Sequence, residues 1–320
     1  MSSYAFDHDF NDVLAIIAAS ASVDWSDPEA IKASRTGGRL SVLSGVPKGD
    51  PTPSEDRIIA GLDGDPDVGV RIYRPSTPMV SPSPGIVFIH GGGFMTGTVD
   101  QSAAMLGSWV ESLGIVIASV DYRLAPEDPY PAGIHDCYAA LVWLAANAEG
   151  LGIDPDRIAI AGPSAGAGLA AGTALMARDR GGPALCYQLL QIPEIDDRLE
   201  TWSMRTFTDT PIWNRPSAEW SWKHYLGDLY GSDDVPYYAA PSRCEDLSGL
   251  PPTFVATMEF DPLRDEGIDY AVRLMQAGVS VELHSFPGTF HGSAMVPGAG
   301  VSNQDARITL NALRKAFGLS

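Results

Sequence analysis

From residue 85 onward the chain alternates short, unbroken apolar runs with segments of helix length. The runs are Ile86–Ile89, Ile115–Val120, Ile158–Ala161, Leu185–Ile192, Thr253–Met258 and Val279–Ser285. Between them lie Ser102–Leu113, Ile134–Ala148, Ala165–Arg178 and Leu263–Gln276, and Asn303–Phe317 follows the last run. A strand with one wet face alternates apolar and polar residues. A strand that is apolar throughout is covered on both faces, as in a parallel sheet with helices on either side. Two earlier runs, Arg57–Leu62 and Val68–Tyr73, flank the turn-forming Asp63-Gly64-Asp65-Pro66 and predict an antiparallel opening pair. The expectation is an α/β fold with about eight strands, mostly parallel, joined by right-handed crossovers.

Two segments stand outside this alternation. Residues 1–50 read as two short helices, Asn11–Ser20 and Pro28–Ser34, followed by a Gly/Pro-rich stretch that ends at Pro53. Residues 193–250 lack strand periodicity and hold Trp202, Trp213, Trp220 and Trp222, four of the seven tryptophans. The remaining 51–192 and 251–320 would then form one catalytic domain interrupted by the insertion.

Composition excludes several partners. The 320 residues carry 40 acids against 21 Lys plus Arg, only four of them lysines, for a net charge of −19. With no basic run, nucleic acid and anionic membrane surfaces would be repelled. The apolar run Val13–Ala19 follows Asp7, Asp9 and Asp12, where a secretory leader carries basic residues, so a cytoplasmic protein is expected. No apolar stretch approaches the ~20 residues that span a bilayer. Cys137, Cys186 and Cys244 lie far apart without CxxC or Cys/His spacing, which argues against a disulfide framework and against a zinc site.

The strongest local signal is Gly162-Pro163-Ser164-Ala165-Gly166, set between the run ending at Ala161 and the helix that follows. In that context a serine sits on a sharp turn that lifts its hydroxyl above the sheet, and the flanking glycines remove side chains that would collide across it. A hydroxyl is a weak nucleophile and needs a base held in the right tautomer by a carboxylate. Asp261 follows the run Thr253–Met258, and His291 follows Val279–Ser285 between Phe290 and Gly292. Both fall just beyond the carboxyl ends of strands, where open α/β sheets gather their sites. Asp265 and Glu266 fall in a first helical turn, where acids stabilise the helix dipole, and Glu259 lies at the strand end. Asp261 is therefore the candidate acid and His291 the candidate base.

The third component is His90-Gly91-Gly92-Gly93-Phe94, directly after Ile86–Ile89. Acyl transfer builds negative charge on the carbonyl oxygen, and glycine lets a backbone approach closely with its N–H groups turned inward. Gly92, Gly93 and Ala165 are the candidate N–H donors, with His90 and Gly91 as loop support. Phe94 and Trp213 are candidate substrate contacts.

Two competing motifs are weaker. Gly166-Ala167-Gly168-Leu169-Ala170-Ala171 fits a loose dinucleotide pattern, but the acid wanted ~20 residues later is missing, since position 186 is Cys. The acids Glu194, Asp196, Asp197 and Glu200 lack histidines or an EF-hand spacing and read as a solvated, ion-paired face.

Together the loop at 90–94, Asp121-Tyr122-Arg123-Leu124-Ala125-Pro126-Glu127, the turn at 162–166, Asp261-Pro262-Leu263-Arg264-Asp265-Glu266-Gly267 and the segment around His291 resemble the bacterial hormone-sensitive-lipase-like family of α/β-hydrolase carboxylesterases. The resemblance covers almost the whole chain. It implies the α/β-hydrolase fold, an eight-stranded mostly parallel sheet flanked by helices, with a helical cap made of residues 1–50 and 193–250. It implies hydrolysis of small-molecule esters, acetyl-type ones above all, without metal or cofactor, and suggests a homodimer. Within DYRLAPE, Asp121 and Arg123 are expected to pair near the oxyanion loop. Pro163 and Ala167 depart from the polar residue and glycine usual in the family, which predicts altered loop support with the chemistry retained. The alternative is a ligand-binding protein on the same fold, but such proteins have lost the histidine that this chain keeps at 291.

Overall fold

The computed structural model describes residues 4–20, 22–37, 52–77 and 81–319. Among these, eight strands form one sheet: β1 (Ser54–Ile59), β2 (Val68–Tyr73), β3 (Ser83–Ile89), β4 (Val116–Asp121), β5 (Ile153–Pro163), β6 (Tyr187–Gln191), β7 (Thr253–Phe260) and β8 (Val281–Phe290). Their spatial order is β1-β2-β4-β3-β5-β6-β7-β8. β2 runs antiparallel to both β1 and β4, and the other pairings are parallel. The winding reverses between β3 and β5, which lie side by side, and such a switch point opens a crevice beyond the carboxyl ends of the strands. The glycine-rich loop leaves β3 and the serine turn leaves β5, so both candidate motifs flank that crevice.

The apolar runs are continuous because alternate residues serve opposite faces. In β3, Ile86 and Phe88 pack with Leu106, Trp109 and Leu313, while Val87 and Ile89 pack with Ile134, Leu169 and Leu274. Helices Ala103–Leu113 and Gly300–Ala316 cover the first face, and Ala132–Ala146, Ala165–Arg180 and Arg264–Gln276 cover the second. Each fully buried Ile, Leu or Phe contributes about 1.5–3 kcal/mol, so a polar residue at any of these strand positions would open the sheet. Trp213, Trp222 and Tyr225 of the 193–250 insertion join the second core, and its helix Arg215–Leu226 is started by Asn214, whose side chain accepts from Ser217 N. The expected boundary at residue 50 and the Gly/Pro-rich residues 38–51 lie outside the described residues. No described helix is long and apolar enough to cross a membrane.

One expected pairing is different. Arg123 does not pair with Asp121: its backbone N–H, Nε and Nη2 all bond to Asp136, with Nη2 at 2.7 Å, and Nη2 also reaches Asp65. Asp121 ends β4 exposed beside Gly69 of β2, whereas the chain turns after Tyr122 and aims Arg123 at helix Ala132–Ala146. Asp136 is 1% exposed. Asp136→Ala would leave the partly exposed Arg123 guanidinium only its longer bonds to Asp65 and Ala132 O, and we expect it to cost about 1.5–3 kcal/mol, read from urea unfolding. A loss under about 1 kcal/mol would mean that the pair behaves as a surface ion pair.

Candidate active site

The turn after β5 is shaped by what surrounds it. Ser164 has φ 56° and ψ −126°, outside the regions that non-glycine residues favour. It is held there by its own backbone. Ser164 N–H donates to Gln191 O of β6, and Ser164 O accepts from Ala167, Gly168 and Glu194 N–H at 2.9, 3.1 and 3.2 Å. A Cβ on Gly162 would lie 2.6 Å from Ile89 O, and one on Gly166 would overlap Ile89 O outright, so only glycine lets β3 and the turn approach this closely. Pro163 occupies the last register position of β5, opposite Gln191, and its carbonyl and ring border Gly91. Ala165 opens the following helix, so its N–H has no intrahelical partner.

His291 and Asp261 are brought together. His291 Nδ1 and Asp261 Oδ2 are 2.7 Å apart, and Asp261 Oδ1 accepts from Leu263 N–H at 2.9 Å. Asp261 is fully buried, and Ser164 and His291 are each 6% exposed. The rival acids have other work. Glu259 takes the Gly288 N–H, Asp265 takes the Ser203 N–H, and Glu266 takes those of Ile195 and Asp196.

The glycine-rich loop lies against both the turn and the histidine. A Cβ on Gly91 would sit 3.4 Å from Ser164 Cβ. Gly92 and Gly93 have φ 129° and 57°, and Gly92 O accepts from Met95 N–H, Thr96 N–H and Thr96 Oγ1. Those three bonds fix the peptide that carries the Gly93 N–H, and among the described residues neither the Gly92 nor the Gly93 N–H has an acceptor. The indole of Trp213 fills the space in front of Gly93, and its ring stands 5.9 Å from that of His291. The contacts thus run from Ser164 through Gly91 and Gly93 to Trp213, His291 and Asp261.

His90 is fully buried, stacks on Tyr122 at 4.3 Å, and has Nδ1 2.9 Å from Gly91 O. Burial pushes its imidazole down to about 4, so it stays neutral and braces the loop. Phe94, expected at the substrate, is 2% exposed and stacks on Tyr225 at 4.0 Å, fastening the loop to the helix Arg215–Leu226.

Several supporting residues escape sequence reasoning. Tyr122 donates to His90 O at 3.0 Å, and Arg35 donates to Met95 O and Ala125 O while paired with Glu127. Ser221 donates to Gly93 O at 3.0 Å. Only Tyr122 lay within a motif. Arg35 and Ser221 act over 60 or more positions, and no local pattern marks them. A cleft of about 690 Å³ is lined by Phe6, Leu14, Ile17, Trp25 and Ile212 among others, and of its walls Trp25 packs on Trp213, the ring centroids 6.0 Å apart.

Residues 86–295 match the family described as the alpha/beta hydrolase fold. The chain is 41% identical to the carboxylesterase NlhH of Mycobacterium tuberculosis over 287 residues, 89% of this chain and 88% of that one. It is 37% identical to an arylesterase of Saccharolobus solfataricus, over 71% of this chain and 73% of the relative. The solved structure of a bacterial heroin esterase superposes with a TM-score of 0.91 at 49% identity, covering 98% of each chain. By its sheet, its sequence and these relatives, the chain belongs to the hormone-sensitive-lipase-like family of α/β-hydrolase carboxylesterases.

Proposed function

We propose that Ser164, His291 and Asp261 form the catalytic triad. As Ser164 Oγ attacks the ester carbonyl, its proton passes to His291 Nε2, and Asp261 stabilises the imidazolium. The carbonyl π electrons move to oxygen, where the N–H groups of Gly92, Gly93 and Ala165 receive the charge, each worth about 3–4 kcal/mol. Collapse of this intermediate breaks the bond to the alcohol, which leaves with the proton from His291. Water then attacks the acyl-serine with His291 again as base, releasing the acid and restoring Ser164. The buried 2.7 Å bond between His291 and Asp261, at the same carboxyl edge of the sheet as the strained Ser164, is the observation that supports this most directly.

Residues 1–50 and 193–250 serve as the cap. The substrate is a short acyl ester of a bulky, partly aromatic alcohol. Trp213 stands between Gly93 and His291, where the acyl group must sit, and leaves little room for a long chain. We place the alcohol in the cleft beside Trp25, whose ring packs on Trp213. The names of two relatives agree, since heroin is a diacetyl ester of a polycyclic alcohol and an arylesterase takes aromatic esters. A series of p-nitrophenyl acetate, butyrate, octanoate and decanoate should show kcat/KM falling by about tenfold or more from acetate to octanoate, as expected where each added methylene meets a closed wall. A preference for decanoate would overturn the short-acyl assignment.

A further inference from the structure

The acids that follow β6 divide into two kinds. Asp196, Asp197 and Glu200 form ion pairs with Arg198, Arg243 and Arg205, as expected of such a cluster, although Asp196 and Asp197 are buried rather than solvated. Glu194 departs from it altogether. It is fully buried, and by distance and angle neither carboxyl oxygen has a hydrogen-bond partner among the described residues. The polar side chain against it is the Ser221 hydroxyl. That hydroxyl has one proton, already given to Gly93 O at 3.0 Å, and so offers Glu194 only lone pairs. A carboxylate there would meet those lone pairs, whereas a carboxylic acid can donate to them.

We propose that Glu194, as its neutral acid, is a positioning residue: it donates to Ser221 Oγ and thereby keeps the Ser221 proton on Gly93 O, fixing the oxyanion loop. The peptide before Gly93 is held by the bonds to Gly92 O, and the peptide after it by Ser221. Losing the second hold frees rotation at a glycine whose N–H must point at the developing charge. An ionised Glu194 competes for the Ser221 proton and releases that hold.

The surroundings favour the acid form. Asp261 after β7, Glu266 on helix Arg264–Gln276 and the Tyr122 hydroxyl after β4 are the titratable groups facing Glu194, and no Arg or Lys among the described residues offsets them. Burial, offset in part by the bond that Ser221 would give an ionised carboxylate and reinforced by the charge of Asp261, pushes the Glu194 carboxyl up to about 8.

The proposal rests on Gly93 being an oxyanion donor. It is tested by measuring kcat and KM for p-nitrophenyl acetate from about pH 6 to about pH 10 on wild type, Glu194→Gln, Glu194→Leu and Ser221→Ala, with Gly93→Ala as control. Wild-type kcat should fall on the alkaline side with a midpoint near 8. Glu194→Gln, whose amide donates at every pH, should lack that limb and keep kcat within about threefold of wild type at neutral pH. Glu194→Leu should lose about tenfold to a hundredfold in kcat at every pH with KM within about twofold. Ser221→Ala should be low and without the limb. An unaltered limb in Glu194→Gln or in Ser221→Ala, or wild-type kcat in Glu194→Leu, overturns the proposal. If the Glu194 variants do not fold, the limb in Ser221→Ala decides, and a wild-type profile without the limb overturns it directly. Full activity in Gly93→Ala would instead mean that the oxyanion assignment itself had failed.

Discussion

Ser164→Ala is expected to lower kcat for p-nitrophenyl acetate by about a million-fold, to a remainder supplied by substrate binding and the oxyanion donors. The substitution removes one oxygen and keeps Cβ, so the turn and its hydrogen bonds through Ser164 N and O survive. KM should change little, because the hydroxyl acts on the transition state more than on the bound ester. An organophosphate should label wild type once, at Ser164, and should not label the variant. Wild-type turnover by Ser164→Ala, or stoichiometric labelling of another residue, would remove Ser164 from the mechanism. A wild-type protein that binds esters without hydrolysing them would favour the ligand-binding alternative.

Much of the architecture was legible because it is local. Strands buried on both faces must be apolar at consecutive positions, and those from Ile86–Ile89 onward were visible for that reason. Where polar residues enter a strand, the reading stops short. β5 begins at Ile153 and continues through Asp154-Pro155-Asp156, and β8 runs on past Pro287-Gly288 to Phe290. Both extensions come from pairing with a neighbour, Ser83 with Ile153 and Phe260 with Phe290, each across a register shift. Proline and glycine at these points look like turns when the partner strand is out of view.

The candidate site divides in the same way. Ser164, Asp261, His291 and the glycines are marked by their place after strands, since a doubly wound sheet delivers those loops to one crevice. The residues that hold them there carry no such mark. Ser221 reaches Gly93 from 128 positions away, and Arg35 reaches Met95 from 60. DYRLAPE was legible as a motif, but its pairing was not. Asp121 and Arg123 are two apart and opposite in charge, yet the chain turns between them and Asp136 captures the arginine. Glu194 was hidden by its neighbours: three of four clustered acids do form ion pairs, and sequence spacing cannot tell which one is buried without such a partner.

Asp261→Asn should lower kcat by about ten-thousand-fold near neutral pH, and the geometry around Asp261 gives the reason. In the wild type, Oδ1 accepts from Leu263 N–H and Oδ2 faces His291 Nδ1, so both carboxylate oxygens act as acceptors. An asparagine has one acceptor and one donor group. Leu263 N–H requires the acceptor, which turns the amide NH₂ toward His291 Nδ1. The imidazole must then accept at Nδ1 and carry its proton on Nε2, where it cannot take the proton of Ser164. The loss is therefore one of tautomer, with the fold and KM nearly unchanged. Two further readouts separate this from simple removal of charge. Measured against wild type at the same pH, activity should recover by about tenfold or more at alkaline pH, where hydroxide can replace the missing base. Asp261→Ala, which leaves the imidazole free to choose its tautomer, should retain at least as much activity as Asp261→Asn. An Asp261→Asn enzyme within about tenfold of wild type at neutral pH would show that His291 takes its orientation from another residue.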